Sequence, residues 1–580
     1  MVFKFLSSVA TAPLFISVAL AQTPRQEFPD VPVMSPTGVN MQTGTYVNTR
    51  TDIEIGSLKF TRSWRGLTSL YPGNNWKDPQ NFGTWAHNYG WGVDVRDALP
   101  TANWWADVYV EGKKYRFNSI TSSTWGSWDQ DSAGAALTQN AGTGNFTFRN
   151  KNGDVFTIAN FVVTLAQYAD GRRLEFYYDS SRRLRTIFNA TGDAIVLDYA
   201  NGVIATACGY NRTLHYVTTA TTCSSDAPEV KVSYGYVYKT DRYVLSSATY
   251  QDARTINMSY DSWQNPNLTC VTFPSSSTCE VTNEFGNSQL GVPPDMVYKQ
   301  TLPTGEVWTY AYNVYPAPDP DAPYPPGYIP PGQSGYTDPA GFNGGIDYLG
   351  GIAREVHARD GVSKYEWSGT VVSKYTFPRG NIVEIGRDNR SNITSIRKKP
   401  VPGTGGSDIV STYQYPTDSG SWPTYSCVST LPTLCNKPTS STDPNGNTTT
   451  YTHDPVHGGI LTETGPAVNG VQPQKRYFYE QRFAWLRNAG GGYTRSTNGV
   501  WLLIKESSCK TGAASGAGCA LPGDEVVKFY DYGPDSGPNL LRLRGTVDDA
   551  LGTARRTCYG YDARGRKISE TQPRAGLSAC

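Results

Sequence analysis

Along most of this chain, apolar and aromatic residues alternate with polar ones over short runs that end at Gly, Pro, Asn or Asp. The segments 107–111 and 144–148 have this period of two, and Tyr234, Tyr236 and Tyr238 occupy alternate positions. Alternation places such residues on one face of a half-buried strand. Asn-Gly, Asp-Gly and Arg-Gly pairs supply the positive φ that tight hairpin turns need. The pattern therefore predicts an all-β protein built from hairpins.

Many of these hairpins share a motif in which Tyr-Asp precedes a turn and then Arg and an aliphatic residue. The clearest copy is 559–568, where Tyr561 and Asp562 precede Gly565 and Arg566. Weaker copies contain Tyr178–Asp179, in which Arg182 replaces the turn Gly, Tyr260–Asp261, and Tyr451 with Asp454. A repeat of about 21 residues indicates stacked supersecondary units. Because one hairpin is only marginally stable, neighbours are expected to pair into a continuous sheet.

These segments resemble the YD repeats of the RHS family of bacterial secreted proteins, most closely at 559–568 and 443–454. Residues 39–44, 60–64 and 85–89 resemble the segment that precedes the repeats in that family. The resemblance implies an extended, curved or partly closed β-sheet shell, which in complete members encloses a toxin polypeptide. Some surface-attached relatives contact cells or bind carbohydrate. The family's terminal closure and toxin domain are not recognisable here, so we expect either a longer protein or another chain that completes the shell.

Composition divides the chain into five regions. We predict a signal peptide at 1–21, a Trp-rich, β-sandwich-like region at 22–163, a repeat array at 164–312, a Pro- and Gly-rich insertion at 313–350 and a continued array at 351–580. Eight of the 14 tryptophans lie in the second region: Trp64, Trp76, Trp85, Trp91, Trp104, Trp105, Trp125 and Trp128. Their alternating positions favour a core role, and stacking on sugar rings is the alternative.

The N-terminus is typical of a secretory signal. Lys4 precedes an apolar run that ends in Ala19-Leu20-Ala21, which predicts cleavage after Ala21 and a secreted, periplasmic or cell-surface protein. The alternative is a disordered or buried N-terminal segment. No later stretch has the roughly 18 uninterrupted apolar residues that a membrane span needs.

The ten cysteines fall into pairs that are adjacent in sequence, which agrees with export. Each interval contains turn-forming residues, as expected where a disulfide closes a loop, although sequence alone does not fix the pairing. The predicted pairs are Cys208 with Cys223, Cys270 with Cys279, Cys427 with Cys435, Cys509 with Cys519, and Cys558 with Cys580.

The balanced charge of the chain argues against nucleic acid as a partner. The chain has 51 basic and 50 acidic residues and a net charge of +1, with the two signs interspersed. Without a basic stripe there is little to neutralise a phosphate backbone.

A search for catalytic motifs leaves no strong candidate. The sequence has no nucleophile elbow, zinc-protease helix, P-loop or dinucleotide fingerprint. His453 and His457 are close together, but in a strand-turn context they more plausibly occupy repeat positions where Tyr or Gly is usual. The Asp338-Pro339 pair faintly resembles the self-cleavage segment of RHS proteins and also fits an ordinary turn. We expect no enzymatic activity, no cofactor and no metal.

Three functional hypotheses remain. The first is an exported, non-enzymatic β-repeat scaffold that encloses or presents a toxin polypeptide. The second is a cell-surface adhesin or carbohydrate-binding module, suggested by the alternating Tyr and Trp residues. The third is a hydrolase assembled from dispersed carboxylates.

Overall fold

The computed structural model describes residues 33–64, 82, 84–98, 103–120, 124–127, 132–239, 242–262, 266–287, 290–312, 333–349, 352–418, 427, 430–516, 518–549 and 554–580. Within these ranges the protein is all-β, as predicted, and contains 42 strands. No helix in the described part of the chain is long and apolar enough to cross a membrane. The predicted signal peptide at 1–21 lies outside the described residues.

A small sheet of three strands comes first. It consists of β1 (Asn48–Ile55), β2 (Leu58–Trp64) and β3 (Ala86–His87), with β2 in the centre. A bulge between Thr51 and Ile53 shifts the register of β1 against β2. Both Ile53 and Ile55 are fully buried, so this sheet contributes an apolar face to the core.

The next eight strands close into a ring. They are β4 (Gly92–Ala98), β5 (Asn103–Val110), β6 (Lys113–Ser119), β7 (Thr124–Ser127), β8 (Ala136–Gln139), β9 (Phe146–Arg149), β10 (Val155–Ala159) and β11 (Val162–Gln167). Each strand pairs antiparallel with the next, and Val162 of β11 pairs back with Gly92 of β4. The ring interior is packed by Phe117, Phe148 and Phe156, all fully buried.

From β11 the same sheet continues as a long antiparallel meander, because each strand pairs with its neighbours in sequence. Its first part comprises β12 (Arg173–Tyr178), β13 (Leu184–Asn189), β14 (Asp193–Ala200), β15 (Val203–Asn211), β16 (Val230–Lys239), β17 (Arg242–Tyr250), β18 (Thr255–Tyr260), β19 (Leu268–Thr272), β20 (Cys279–Phe285), β21 (Val297–Thr301) and β22 (Val307–Tyr312).

The middle part comprises β23 (Gln333–Thr337), β24 (Asn343–Leu349), β25 (Ile352–Ala358), β26 (Gly361–Ser368), β27 (Val371–Thr376), β28 (Ile382–Arg387), β29 (Ile393–Lys399), β30 (Ile409–Gln414), β31 (Ser440–Thr442), β32 (Thr448–His453) and β33 (Ile460–Thr464). Strands therefore resume at Gln333, inside the segment expected to be an insertion. The prolines of 316–331 lie outside the described residues.

The last part comprises β34 (Gln474–Arg487), β35 (Tyr493–Cys509), β36 (Ala514–Ser515), β37 (Gly518–Cys519), β38 (Glu525–Asp531), β39 (Gly545–Asp548), β40 (Arg555–Tyr561), β41 (Lys567–Glu570) and β42 (Arg574–Ala575). The short strands β36 and β37 form a separate hairpin, and β35 pairs directly with β38. Among the described residues, β41 pairs only with β40.

One face of the long sheet carries the main hydrophobic core, which we call the core face; the opposite side is the outer face. The core runs from Val39 to Ile396 and includes apolar residues of the small sheet, the ring and the array. The small sheet packs on the core face of β14–β18, where Trp64 makes an edge contact with Tyr260 at 5.7 Å. The small sheet thus forms a second layer over the repeat array, whereas the rest of the described N-terminal region closes into the ring of eight strands and does not form a sandwich of its own.

The tryptophans of the N-terminal region divide between core and surface. Trp64, Trp85, Trp91 and Trp125 are buried, whereas Trp104 is 47% exposed. Trp76 and Trp128 lie outside the described residues. Core packing therefore accounts for most of the described tryptophans in this region.

The sheet winds back on itself, so that its later part, the second winding, lies against hairpin tips of its first part, the first winding. Trp501 donates its backbone N–H to the carbonyl of Asp170 at 2.8 Å, and Arg487 donates its backbone N–H to the carbonyl of Arg212 at 2.8 Å. Gly171, with φ +83°, sits so close that a Cβ there would lie 2.5 Å from the carbonyl oxygen of Gly499. The array therefore returns to its own beginning as a wound shell.

Candidate functional site

The repeat tyrosines mark the points where the strand register changes. A bulge separates Tyr177 from Tyr178, so that Tyr178 faces Leu184. Equivalent bulges lie at Tyr199, Tyr236, Tyr260 and Tyr561. A bulge interrupts the ladder and increases the local twist. The tyrosine of the motif therefore marks the position of a β-bulge.

Each of these hydroxyls bonds to a main-chain carbonyl that lies 15 to 32 residues earlier in the chain. Tyr178 donates to Val163 at 2.9 Å, and Tyr260 donates to Leu245 at 2.6 Å. Tyr561 donates to Leu543 at 2.7 Å. Burial raises the pKa of Tyr178 and of Tyr260, so both phenols keep their protons at neutral pH.

The aspartate of the motif organises the turn that follows. One oxygen of Asp179 accepts from the backbone N–H of Ser181 and Arg183, and the other accepts from Nε of Arg183 at 2.7 Å. Burial alone would raise the pKa of Asp179, but the hydrogen bonds and charge of Arg183 lower it. Arg182 adopts φ +61°, in the position that glycine usually takes. Asp179 is therefore a turn cap.

The same cap recurs in the other predicted motifs. Asp562 accepts from the backbone N–H of Arg566 at 2.8 Å and from its Nε at 2.7 Å, while Gly565 has φ +84°. Asp261 accepts from the backbone N–H and the side-chain amide of Asn267, each at 2.9 Å. The motif thus describes one hairpin tip with Arg or Asn at its last position.

The copy at 443–454 differs in detail from the sequence-based prediction. The bulge falls at His453, which faces Ile460, and Tyr451 lies two residues before it. Asp454 caps the turn by accepting from the backbone N–H of Val456 and His457. His453 therefore stands where most copies have tyrosine, in keeping with the interpretation of this histidine as a repeat residue.

His457 is buried between two aromatic rings of the second winding. Its ring centroid lies 4.6 Å from that of Tyr479 and 4.9 Å from that of Trp501. Burial lowers the pKa of His457, and burial together with the charge of Lys437 lowers the pKa of His453 to about 4. Both rings are therefore neutral at pH 7, and His457 packs against aromatic side chains of β34 and β35.

Asp338 also caps a hairpin tip. Its carboxylate accepts from the backbone N–H of Ala340 and Phe342, and it forms an ion pair with Arg359. Although burial opposes this, hydrogen bonds from Phe342 and Arg359 lower the pKa of Asp338. The geometry is that of the other turn caps, so Asp338 has a structural role in this fold.

A buried ion pair joins the small sheet to the array, which sequence inspection did not single out. Arg62 Nε donates to Asp52 at 2.9 Å, and both side chains are fully buried. The hydroxyls of Tyr234 and Tyr250 donate to the same carboxylate at 2.9 and 2.7 Å. Burial raises the pKa of Tyr234 strongly, and Asp52 adds to that shift. Because Arg62 and Asp52 are separated from the two tyrosines by more than 170 residues, no local pattern reveals the group.

The five disulfides form with the predicted pairing, and the structure describes no free cysteine. Their Cα–Cα distances lie between 5.3 and 5.7 Å. The Cys208–Cys223 bond fastens the loop after β15 over an apolar cluster on the outer face that includes Phe188 and Tyr210. The cysteines therefore brace loops and strand pairs.

A groove opens on the outer face between β11 and β12. It has a volume of about 460 Å³, and its lining includes Thr164, Arg173, Glu175 and Tyr177. Tyr177 is 37% exposed and donates its hydroxyl to Glu175 at 2.8 Å. An aromatic face next to fixed polar groups is a common arrangement in ligand-binding sites.

Three groups of side chains in the described residues bring three potential metal donors together. Two of them, around Cys427–Cys435 and Cys509–Cys519, contain sulfurs already bonded to each other, which removes the thiolates that a metal needs. The third consists of Asp347, Glu355 and His357 on adjacent strands.

No protein-family model and no curated protein matches the chain. Solved structures do match it. The Tc holotoxin pore of Photorhabdus luminescens aligns with 89% of this chain and 27% of its own, at 9% identity and a TM-score of 0.33. The TcdB2–TccC3 complex without its hypervariable C-terminal region aligns with 90% of this chain and 27% of its own, at 10% identity and a TM-score of 0.33. The TcdB2–TccC3–Cdc42 complex aligns with 90% of this chain and 27% of its own, at 9% identity and a TM-score of 0.32. The chain thus spans about a quarter of these proteins.

Proposed function

We propose that this chain is an exported, non-enzymatic β-repeat scaffold of the RHS type, whose wound sheet encloses or presents a toxin polypeptide. The observation that carries the proposal is the return of the array onto its own first hairpins. The contact between Trp501 and Asp170 joins segments that are far apart in sequence. A sheet wound in this way bounds a space, which a flat sheet does not.

Side-chain contacts between the windings of the sheet support this proposal. Side chains connect the two windings at several hairpin tips. The side-chain amide of Asn436 donates to the carbonyl oxygen of Lys151 at 3.0 Å, and the side-chain amide of Asn211 donates to the carbonyl oxygen of Ala563 at 3.0 Å. Arg542 lies 3.3 Å from Asp193 in an ion pair that is largely buried. Such contacts stiffen the wall of a container.

Among the described residues no strand pairs with the side of β41 that faces away from β40, which supports a partner that continues the sheet. Ile568 on this strand is 67% exposed, and an unpaired strand edge offers hydrogen-bonding groups to another chain. We therefore propose that a further polypeptide segment pairs here and completes the shell.

Protease protection tests the enclosure. The chain would be co-expressed with a candidate toxin polypeptide, purified as a complex, and treated with protease before and after partial unfolding in urea. We expect the polypeptide to resist cleavage until the shell unfolds. Cleavage at the same rate as the free polypeptide would refute the proposal, and turnover of polysaccharide or peptide substrates by the purified chain would refute the non-enzymatic role.

The groove beside Tyr177 favours carbohydrate binding as a second candidate function. Arg173 and Glu175 form an ion pair at 2.7 Å and present donors and acceptors beside the aromatic ring. Glycan-array binding that Tyr177→Ala abolishes and Tyr238→Ala retains would support it, since Tyr238 is an exposed tyrosine on another strand. An array without signal would refute it.

A further inference from the structure

Three potential metal donors lie on the outer face where β24 and β25 pair. Asp347 on β24 is the cross-strand partner of Glu355 on β25. His357 follows Glu355 by two residues and therefore points to the same face. Their neighbours Ile346 and Val356 are buried on the core face, which confirms that the three polar side chains point outward.

The three donor atoms form a compact triangle. Nε2 of His357 lies 3.4 Å from Oδ2 of Asp347 and 3.9 Å from Oε2 of Glu355, and all three atoms lie within 4.8 Å of one another. Ligands about 2.0 to 2.1 Å from a tetrahedral zinc ion are roughly 3.3 Å apart. Small rotations of these half-exposed side chains would bring the triangle to that size.

The backbone holds this triangle and leaves space beside it. Antiparallel pairing fixes Asp347 opposite Glu355, and the cross-strand neighbour of His357 on β24 is Gly345. Because Gly345 has no side chain, the imidazole has room on that side to turn towards Asp347. A residue with a Cβ at this position would lie 2.6 Å from the carbonyl oxygen of Ser334, so the space depends on glycine.

We propose that Asp347, Glu355 and His357 bind a divalent transition-metal ion of the zinc type. One imidazole nitrogen and two carboxylate oxygens suit zinc, and three protein ligands leave a fourth position open to water or to a donor from a partner. This site is independent of the shell proposal, since it requires only the local pairing of two strands.

Lys364 on β26 competes for the same carboxylates. It is the cross-strand partner of Glu355, and its Nζ lies 2.7 Å from Oε1 of that residue. A metal ion bound by Glu355 would weaken this ion pair, and the lysine charge would repel the ion. Lys364 therefore lowers metal affinity, so removing its charge should tighten binding if Glu355 is a ligand.

Zinc titration calorimetry on the intact, oxidised protein tests the site. We expect one binding event that His357→Ala weakens at least tenfold and that Asp347→Asn also weakens. Lys364→Met should tighten binding about two- to fivefold, because an exposed ion pair contributes up to about 1 kcal/mol. His215→Ala is the matched control, since His215 also lies between two carboxylates but already bonds Asp226 and Glu229 through both ring nitrogens.

Circular dichroism and melting temperatures of each variant separate folding defects from lost ligands. Loss of binding in a folded His357→Ala protein, together with unchanged binding in His215→Ala, supports the site. Absence of zinc binding, undiminished binding in folded His357→Ala, or weaker binding in Lys364→Met would overturn the proposal.

Discussion

The hydroxyl of Tyr199 donates a 2.7 Å hydrogen bond to the carbonyl oxygen of Leu184, the residue that faces Tyr178 at the preceding bulge. The next step follows the same rule: Tyr236 donates at 2.7 Å to Ile204, which faces Tyr199. Each tyrosine thus binds the main chain at the irregularity created by the one before it. Since a bulge disturbs the ladder, the hydroxyl supplies a partner there and couples successive hairpins.

Removing one of these hydroxyls should lower stability measurably. We expect Tyr199→Phe to reduce the free energy of unfolding by about 1 to 2 kcal/mol, because the partly buried ring keeps its packing and the Leu184 carbonyl loses a partner. Urea unfolding followed by fluorescence measures the change. Tyr238→Phe, at a residue that is 65% exposed, is the control and should change it by less than about 0.5 kcal/mol. Equal losses in both variants would contradict the coupling role.

The turn caps should respond to substitution and to acid. Asp179→Ala removes three hydrogen bonds and should cost about 1 to 2 kcal/mol, whereas Asp179→Asn keeps one acceptor oxygen and should cost less. Because the folded-state pKa of Asp179 is lowered, its contribution is present above the unfolded-state pKa and is lost as the pH falls through the folded value. Unfolding curves measured at several pH values would test this, and an Asp179→Ala variant with unchanged stability and acid dependence would contradict it.

The buried ion pair should depend on both of its partners. Arg62→Met leaves Asp52 as a buried charge held only by tyrosine hydroxyls and should cost roughly 3 to 5 kcal/mol. The double variant Asp52→Leu with Arg62→Met removes both charges and should be more stable than Arg62→Met alone. Thermal unfolding compares the two proteins. A double variant as unstable as the single one would show that the charges act independently.

His87 should make the small sheet sensitive to acid. Complete burial lowers its pKa from 6.5 to about 3, so the unfolded chain binds a proton at a pH where the folded protein does not. Stability should therefore fall as the pH drops from about 6.5 towards 3, by on the order of 4 kcal/mol from this residue. His87→Asn retains an acceptor for the backbone N–H of Tyr89 and should flatten this dependence. An unchanged slope would contradict the assignment.

The sequence predicted those features of the fold that depend on residues close together in the chain. The strand pattern, the turn position of Arg182 and the cysteine pairs all follow from short-range rules, whereas the role of Asp179 as a turn cap emerged only from the structure. The bulge at His453 did not, because a bulge is a property of backbone pairing and tolerates rings other than tyrosine. The strands β23 and β24 were also missed, since their Gly-rich sequence lacks a clear alternation and pairing with neighbours stabilises them.

Long-range packing was beyond the reach of sequence patterns. The group around Asp52 and Arg62 joins the small sheet to Tyr234 and Tyr250, and the contact of Trp501 with Asp170 joins two windings. Neither contact has a fixed spacing or residue type that would reveal it. They arise from sheet twist accumulated over many strands, which no single hairpin sequence encodes.

Small-angle X-ray scattering of the purified protein tests the central claim, that the sheet winds back onto its first hairpins. Strands lie about 4.8 Å apart, so the array from β12 to β41 laid flat would be roughly 130 Å long. The wound sheet predicts a compact, curved particle with a largest dimension well below that length. A largest dimension near 130 Å, with the profile of an extended slab, would contradict it.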